Sequence, residues 1–400
     1  MKHKLSLLTT AAVITVASQA GAQGYLSIGR NAEQEFERRQ PLVWTVGAQL
    51  GYDSNASLGS GLPGSPEEDS SYISGSIGVT YLSGDGRRTA LNFNANYSPL
   101  YYWDAPSMID DFQHNARVGL DFRHRVNPRL TITNSFYIAY EVEPDYNIGA
   151  IVARNVDPYF YGYNSLSAAY TWNRRFSTVS SWVISATDYD SANSSDNMTN
   201  LLAQEFRYAF SRTTTGALTI RYSMTDSDAL TGDFDSFYVL VGADHRFNPR
   251  LTGSIRAGAE WRDSDLNIVG ADDDASPYVE AALTYLVKKK TSIRWYAVYG
   301  FPSDGSLGDA DIRTGLTATH RFDSRLSGNV GLHWIGEDGG AGLAAVDRDT
   351  FAFSAGLDYI LYKNVSLNGG YSYTTSDSNT AGGFGDYDRH MFQVGVSSRW

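Results

Sequence analysis

The chain has 400 residues, no cysteine, seven histidines and a formal net charge of −12. Those values exclude disulfide frameworks, thiolate metal sites and cysteine nucleophiles, and an acidic balance argues against nucleic acid as a partner. With 27 tyrosines and 38 glycines against 11 prolines, the composition suits long antiparallel strands better than helical bundles.

Residues 1–22 have the form of a secretory signal peptide. Lys2 and Lys4 open it, Leu5 to Ala17 is apolar, and Ala20-Gly21-Ala22 supplies the small residues of a cleavage site. The apolar run is too short to span a bilayer, and no cysteine follows it for lipid attachment. Residues 23–41 read as a separate periplasmic N-terminal segment. Within it Asn31–Gln40 is charged, glycine-free and helix-prone, stopping at Pro41. It reads either as a solvated arm or as a short piece folded into the interior as a partial plug. No later stretch approaches the roughly 20 consecutive apolar residues of a spanning helix. A membrane would have to be crossed by strands.

From Leu42 the chain repeats a hairpin of about 40 residues. Phe237, Val239, Val241 and Ala243 alternate with Tyr238, Leu240, Gly242 and Asp244. Beyond the turn Asn248-Pro249-Arg250, Leu251, Gly253, Ile255, Ala257, Ala259 and Trp261 alternate with Thr252, Ser254, Arg256, Gly258, Glu260 and Arg262. Such period-two alternation puts one set of side chains on each face of a strand. Connection lengths alternate as regularly. Short ones lie near 83–88, 126–129, 173–175, 211–214, 248–250, 288–290, 323–325 and 362–364. Long ones, rich in Asp, Gly, Ser and Asn, lie near 53–70, 102–110, 143–157, 190–197, 227–235, 263–275, 302–311, 336–349 and 376–388.

These features predict an all-β fold over 42–400, a single transmembrane antiparallel up-and-down β-barrel of about 18 strands. Its short turns would face the periplasm and its long loops the outside. A propeller shares the repeat length, but each blade would need four short strands where only two long ones fit. Tyr97, Tyr101, Tyr170, Trp172, Trp334, Tyr371 and Tyr373 cluster near strand ends, as aromatic girdles at the two lipid boundaries require.

The polar stripe carries the chemistry. Its candidate pore-lining residues are Arg117, Arg207, Arg221, Arg246, Arg256 and Arg294, with the acids Glu205, Asp244, Glu260 and Glu280; Asp121, Arg123, Arg262, Arg313, Arg321 and Asp358 share the phase. Lining water they would create a solute-selecting field; paired with each other they would brace the wall as Arg–carboxylate ladders. Acidic runs at Glu67-Glu68-Asp69, Asp272-Asp273-Asp274 and Asp304, Asp309 and Asp311 read as solvated loop surface, since no EF-hand spacing occurs. The triplets at Asn55, Asn193 and Asn197 read as incidental. No metal, cofactor or catalytic motif is visible, and His114 and His320 fall on or near the lipid-facing stripe, so the chain does not read as an enzyme.

Phe392, Val394, Val396, Ser398 and Trp400 fall on one face of the last strand, and it resembles the C-terminal strand of bacterial outer-membrane barrels, whose terminal aromatic the barrel-assembly machinery reads. Phe392, Val394, Val396 and Trp400 are thus the candidate assembly signal. Its strand is expected to pair antiparallel with Leu42–Tyr52, leaving no free edge in lipid. Leu50-Gly51-Tyr52-Asp53-Ser54-Asn55 is similar to the G-Y-D-S-N element of the "putative beta-barrel porin 2" group. That resemblance implies the cell outer membrane, with its lipids and lipopolysaccharide as surroundings, and a link to exopolysaccharide export. The functional expectation is a porin-like channel for small hydrophilic, anionic solutes. The alternative is exopolysaccharide export, or a surface-polymer-binding or structural barrel with a plugged lumen.

Overall fold

The computed structural model describes residues 41–59, 66–84, 88–104, 110–142, 158–190, 196–228, 233–264, 274–288, 290–301, 310–338, 347–379 and 386–400. The expected signal peptide, residues 23–40, Asn193, Asp272, Asp273, Asp304 and Asp309 lie outside the described residues.

The wall opens with β1 (Leu42–Asp53), β2 (Ser70–Ser83), β3 (Thr89–Tyr97), β4 (Leu100–Tyr102), β5 (Phe112–Gln113), β6 (Ala116–Arg125) and β7 (Leu130–Glu141). It continues through β8 (Tyr159–Thr171), β9 (Phe176–Tyr189), β10 (Asn197–Ala209), β11 (Thr214–Ser227), β12 (Phe234–Asn248), β13 (Leu251–Ser264) and β14 (Asp274–Lys288). It ends with β15 (Thr291–Gly300), β16 (Ala310–Arg321), β17 (Leu326–Asp338), β18 (Arg348–Tyr362), β19 (Val365–Ser378) and β20 (Tyr387–Arg399). Neighbours pair antiparallel around the whole ring, and β1 closes on β20 from Thr45↔Arg399 to Asp53↔Met391.

These segments make an 18-strand closed barrel, because two wall strands are each broken into a long and a short piece. The first break falls at Ser98-Pro99. Proline has no N–H to give to the ladder, so a wall strand must interrupt there. The Pro99 carbonyl still accepts Gly75 N–H at 3.0 Å, and β4 resumes pairing with β2.

Alternation settles which face meets lipid. Leu50, Val241, Leu357 and Val394, all on the apolar stripe, are each more than half exposed on the bare protein. Such a belt has no place in water, but in a bilayer it is the required surface. Polar residues on this face pair with one another. Asn134 donates to Asn164 at 2.8 Å, and Ser180 to Gln204 at 2.6 Å. At the extracellular strand ends the outer tyrosines Tyr52, Tyr140, Tyr222 and Tyr373 donate to Asp69, Asp190, Asp235 and Asp388. Those carboxylates are tolerated because a strand of 15 residues such as β12 outruns the lipid. At about 3.3 Å per residue and a tilt near 40° it rises roughly 38 Å, against a core of about 30 Å.

Five of the short turns repeat one geometry. Asn127, Asn173, Asn248 and Asp323 each accept the backbone N–H groups two and three residues on, at 2.6–3.0 Å, and Ser211 does the same at 3.0–3.1 Å. A short polar side chain thus stands in for the missing turn bond. The Arg325 and Leu326 N–H groups hold the Asp323 carboxyl below the usual carboxylate range.

At the other end of the barrel, the residues just after Tyr52 lock the seam. Arg389 of β20 donates through Nε to both oxygens of Asp53 at 3.0 and 3.1 Å and adds a third bond through Nη2. Tyr102 also donates to Asp53. Ser54 exchanges two bonds with the His390 backbone, and the Asn55 amide donates to the Asp388 and Gly59 carbonyls. Asp53 is fully buried and Arg389 is 5 % exposed, so removing either partner strands a charge. Asp53→Ala should lower the free energy of urea unfolding in vesicles by about 3–5 kcal/mol. Adding Arg389→Ala should cost less than the sum of the single losses. Additive losses would show that the pair is not coupled.

Candidate functional site

The inner face of β10–β14 carries the densest chemistry among the described residues. Period two directs Glu205, Arg207, Arg221, Asp244, Arg246, Arg256, Glu260, Arg262 and Glu280 inward, because their neighbours Phe206, Ile220, Ile255 and Trp261 sit on the exposed apolar belt. Glu205 and Asp244 bridge two arginines. Arg207 reaches Glu205 at 3.0 Å and also Asp244; Arg256 reaches Glu205 at 3.2 Å and Asp244 at 3.0 Å. Thr219 donates to Glu205 at 3.1 Å.

Arg256 lies three strands from Glu205, so its side chain must pass across β12 and β11. The residues in register on that path are Gly242 and Ala217. A Cβ at Gly242 would stand 2.7 Å from the Arg256 Cδ and 1.9 Å from the Ile255 carbonyl oxygen. The glycine leaves room for the guanidinium to cross.

A second group sits beside the first. Arg221 holds Glu280 with two bonds, at 2.7 and 3.0 Å, and Tyr278 donates to the same carboxylate at 3.2 Å. Glu260, 1 % exposed, accepts from Tyr238 at 2.7 Å and Arg262 at 3.2 Å. The Arg262 guanidinium lies 4.4 Å from the Phe234 ring centre and 4.7 Å from that of Phe301. Two-point arginine–carboxylate bonds and cation–π contacts compensate part of the desolvation that these charges incur.

The remaining inner-stripe residues are spread around the ring. Arg117 pairs with Glu141, and Arg313 with Asp311 at 2.6 Å. Asp311 thus belongs to β16 rather than to a loop run. Arg246 faces Thr252, and Arg294 lies in register with Thr284 and Thr317. Arg246 has no charged partner among the described residues. Sequence reasoning missed Glu141, Asp53 and Arg389, although each continues the inward phase of its strand to the last turn of alternation. It also missed Gly242, whose role needs the register. His114 and His320 bond Tyr97 and Thr291 on the outer face, at 2.8 and 2.7 Å.

Glu205→Ala should destabilise the barrel by about 3 kcal/mol in urea unfolding, since it leaves Arg207 and Arg256 to share Asp244. Glu205→Gln, which keeps an acceptor, should cost less; equal losses would mean that packing, not charge, sets the effect.

Residues 233–400 match the family described as "Putative beta-barrel porin 2". Among solved structures, the chain is similar to Acinetobacter baumannii OccAB4, with 9% identity, covering 90% of this chain and 99% of that one at a TM-score of 0.45. Pseudomonas aeruginosa OpdK with vanillate is 11% identical, with the same coverages and TM-score. Pseudomonas aeruginosa OccK2 (OpdF) in complex with glucuronate is 9% identical, covering 90% of this chain and 98% of that one at a TM-score of 0.46. No curated protein matches the chain.

Proposed function

We propose, taking the chain as a porin-like β-barrel of the bacterial outer membrane, that it conducts small hydrophilic solutes and favours anionic ones. The observation that carries this reading is the charged inner wall. Among the described side chains of β10–β14 five inward arginines, Arg207, Arg221, Arg246, Arg256 and Arg262, face four inward acids, Glu205, Asp244, Glu260 and Glu280. In a dry core such a set would cost several kcal/mol per ion, whereas beside water it is cheap and gives the wall a field. The ion pairs hold most of that charge in place. Arg246, below Asp244 toward the short turns, adds the positive excess. Guanidinium stays charged at every physiological pH and binds carboxylates in two-point fashion.

A second reading has its own support. Several inward residues in the extracellular half are closed off from water: Tyr72, Tyr102 and Tyr159 are fully buried, and Glu260 nearly so. A wide-open lumen would leave them wet. This favours the alternative, exopolysaccharide export or a surface-polymer-binding or structural barrel with a plugged lumen. In either reading residues 1–22 serve export, and Phe392, Val394, Val396 and Trp400 form the assembly signal.

In planar bilayers the purified protein should give steady ohmic steps, with a reversal potential in a KCl gradient displaced toward chloride. Arg246→Gln should move that potential toward potassium while Arg207 and Arg256 keep the wall intact. Silence that is relieved by deleting 376–388 or 23–41 would favour the plugged barrel. A potassium preference in the unaltered protein would remove the anionic reading.

A further inference from the structure

We propose that the ring of short turns is a binding surface for the phosphate headgroups of anionic phospholipids in the periplasmic leaflet. The chain is acidic overall, yet its charge is divided between the two ends of the barrel. The four turns built on Asn127, Asn173, Asn248 and Asp323 each place an exposed arginine two residues on: Arg129, Arg175, Arg250 and Arg325. The other four short turns carry Arg88, Arg212, Lys290 and Lys363. All eight therefore present a cation. Among the described residues of these turns the one acid is Asp323, whose carboxylate is engaged by two backbone N–H groups. Asp85, which the sequence places in the first turn beside Arg87, lies outside the described residues.

One of these cations leans onto the lipid-facing side and another onto a neighbouring turn. Arg175 donates to the hydroxyl of Tyr208 at 3.5 Å, and Tyr208 stands on the outer belt. Lys290 donates to the carbonyl of Phe322 at 3.2 Å. Just inside the ring the outer face carries Trp172, Phe210, Phe247, Phe322 and Tyr362, each more than half exposed. Aromatics at that depth mark the lipid–water boundary, so the guanidinium and ammonium groups beside them fall at headgroup level. Phosphate is the anion found there, and arginine meets it in two-point fashion. The opposite end has the opposite sign: its outer tyrosines bond Asp69, Asp190, Asp235 and Asp388. An anionic lipid is therefore attracted to one leaflet and repelled from the other.

The test uses the full-length protein in nanodiscs of mixed phosphatidylglycerol and phosphatidylethanolamine, with retained lipids counted by native mass spectrometry. Phosphatidylglycerol should be retained in preference, and the preference should weaken as salt rises. The variant R129Q/R175Q/R250Q/R325Q should lower it by about fivefold at each turn altered, at low salt. These side chains are not the acceptors that form the turns, so the variant should fold, which its heat-dependent gel migration checks. A control, E67Q/E68Q/D110N/D111N, alters the same number of charges at the extracellular end and, by easing the repulsion there, should raise the preference rather than lower it. Equal retention of the two lipids, an unchanged preference in the arginine variant, or an equal loss of preference in the control would overturn the proposal.

Discussion

Everything in this barrel depends on one constraint: a backbone N–H or carbonyl facing lipid must have a partner within the protein. An open sheet leaves two unpaired edges, so the first strand has to find the last across more than 330 residues of chain. That closure alone uses backbone bonds that any register could make. What fixes the register is the side-chain lock at its extracellular end. Asp53 binds Arg389, Ser54 binds the backbone of His390, and Asn55 binds the backbone of Asp388. A slip by one residue would turn Arg389 to the lipid side and leave Asp53 buried alone. The short polar segment after Tyr52 thus acts on the seam as well as on the first loop.

The inner wall obeys the same accounting with charges in place of backbone groups. A carboxylate on β10 and another on β12 are satisfied by arginines on β10 and β13, so the network ties three strands together across β11, although their backbones pair only with adjacent neighbours. Such bridging resists shear between strands. It also leaves the wall polar without leaving its charges loose. The arginines that could select solutes are largely the ones that brace the barrel, so selection falls to the small excess that the pairs leave over.

The alternation of apolar and polar residues made the two faces legible from sequence, because in a strand the phase of one residue fixes the facing of the rest. Connection lengths gave the strand order and the even count. The pairing of charges was not legible. Glu205 and Arg256 are 51 positions apart, and only the register of four strands and the missing side chain at Gly242 bring them together. The division of Asp311 between loop and strand was equally hidden, since its role depends on Arg313 reaching back along β16. Pro99 was visible as a residue, but its effect, a wall strand that stops and resumes, depends on the β2 neighbour that takes it up again.

Net charge is an average, and here it conceals two opposed surfaces. The requirements at the two ends differ. A turn of two to four residues keeps its cations at the rim, where Arg175, Arg250 and Lys290 reach only the ends of neighbouring strands and turns; a Tyr–Asp pair at a strand top needs a rigid neighbouring strand to hold it. Both are consequences of strand length. Because the strands overshoot the lipid core, each end stands in an interfacial layer where charge is cheap, and the belt between is left to apolar residues and self-paired amides such as Asn134 and Asn164. The vertical order of the barrel follows from where water ends, and its chemical polarity from which sign occupies each layer.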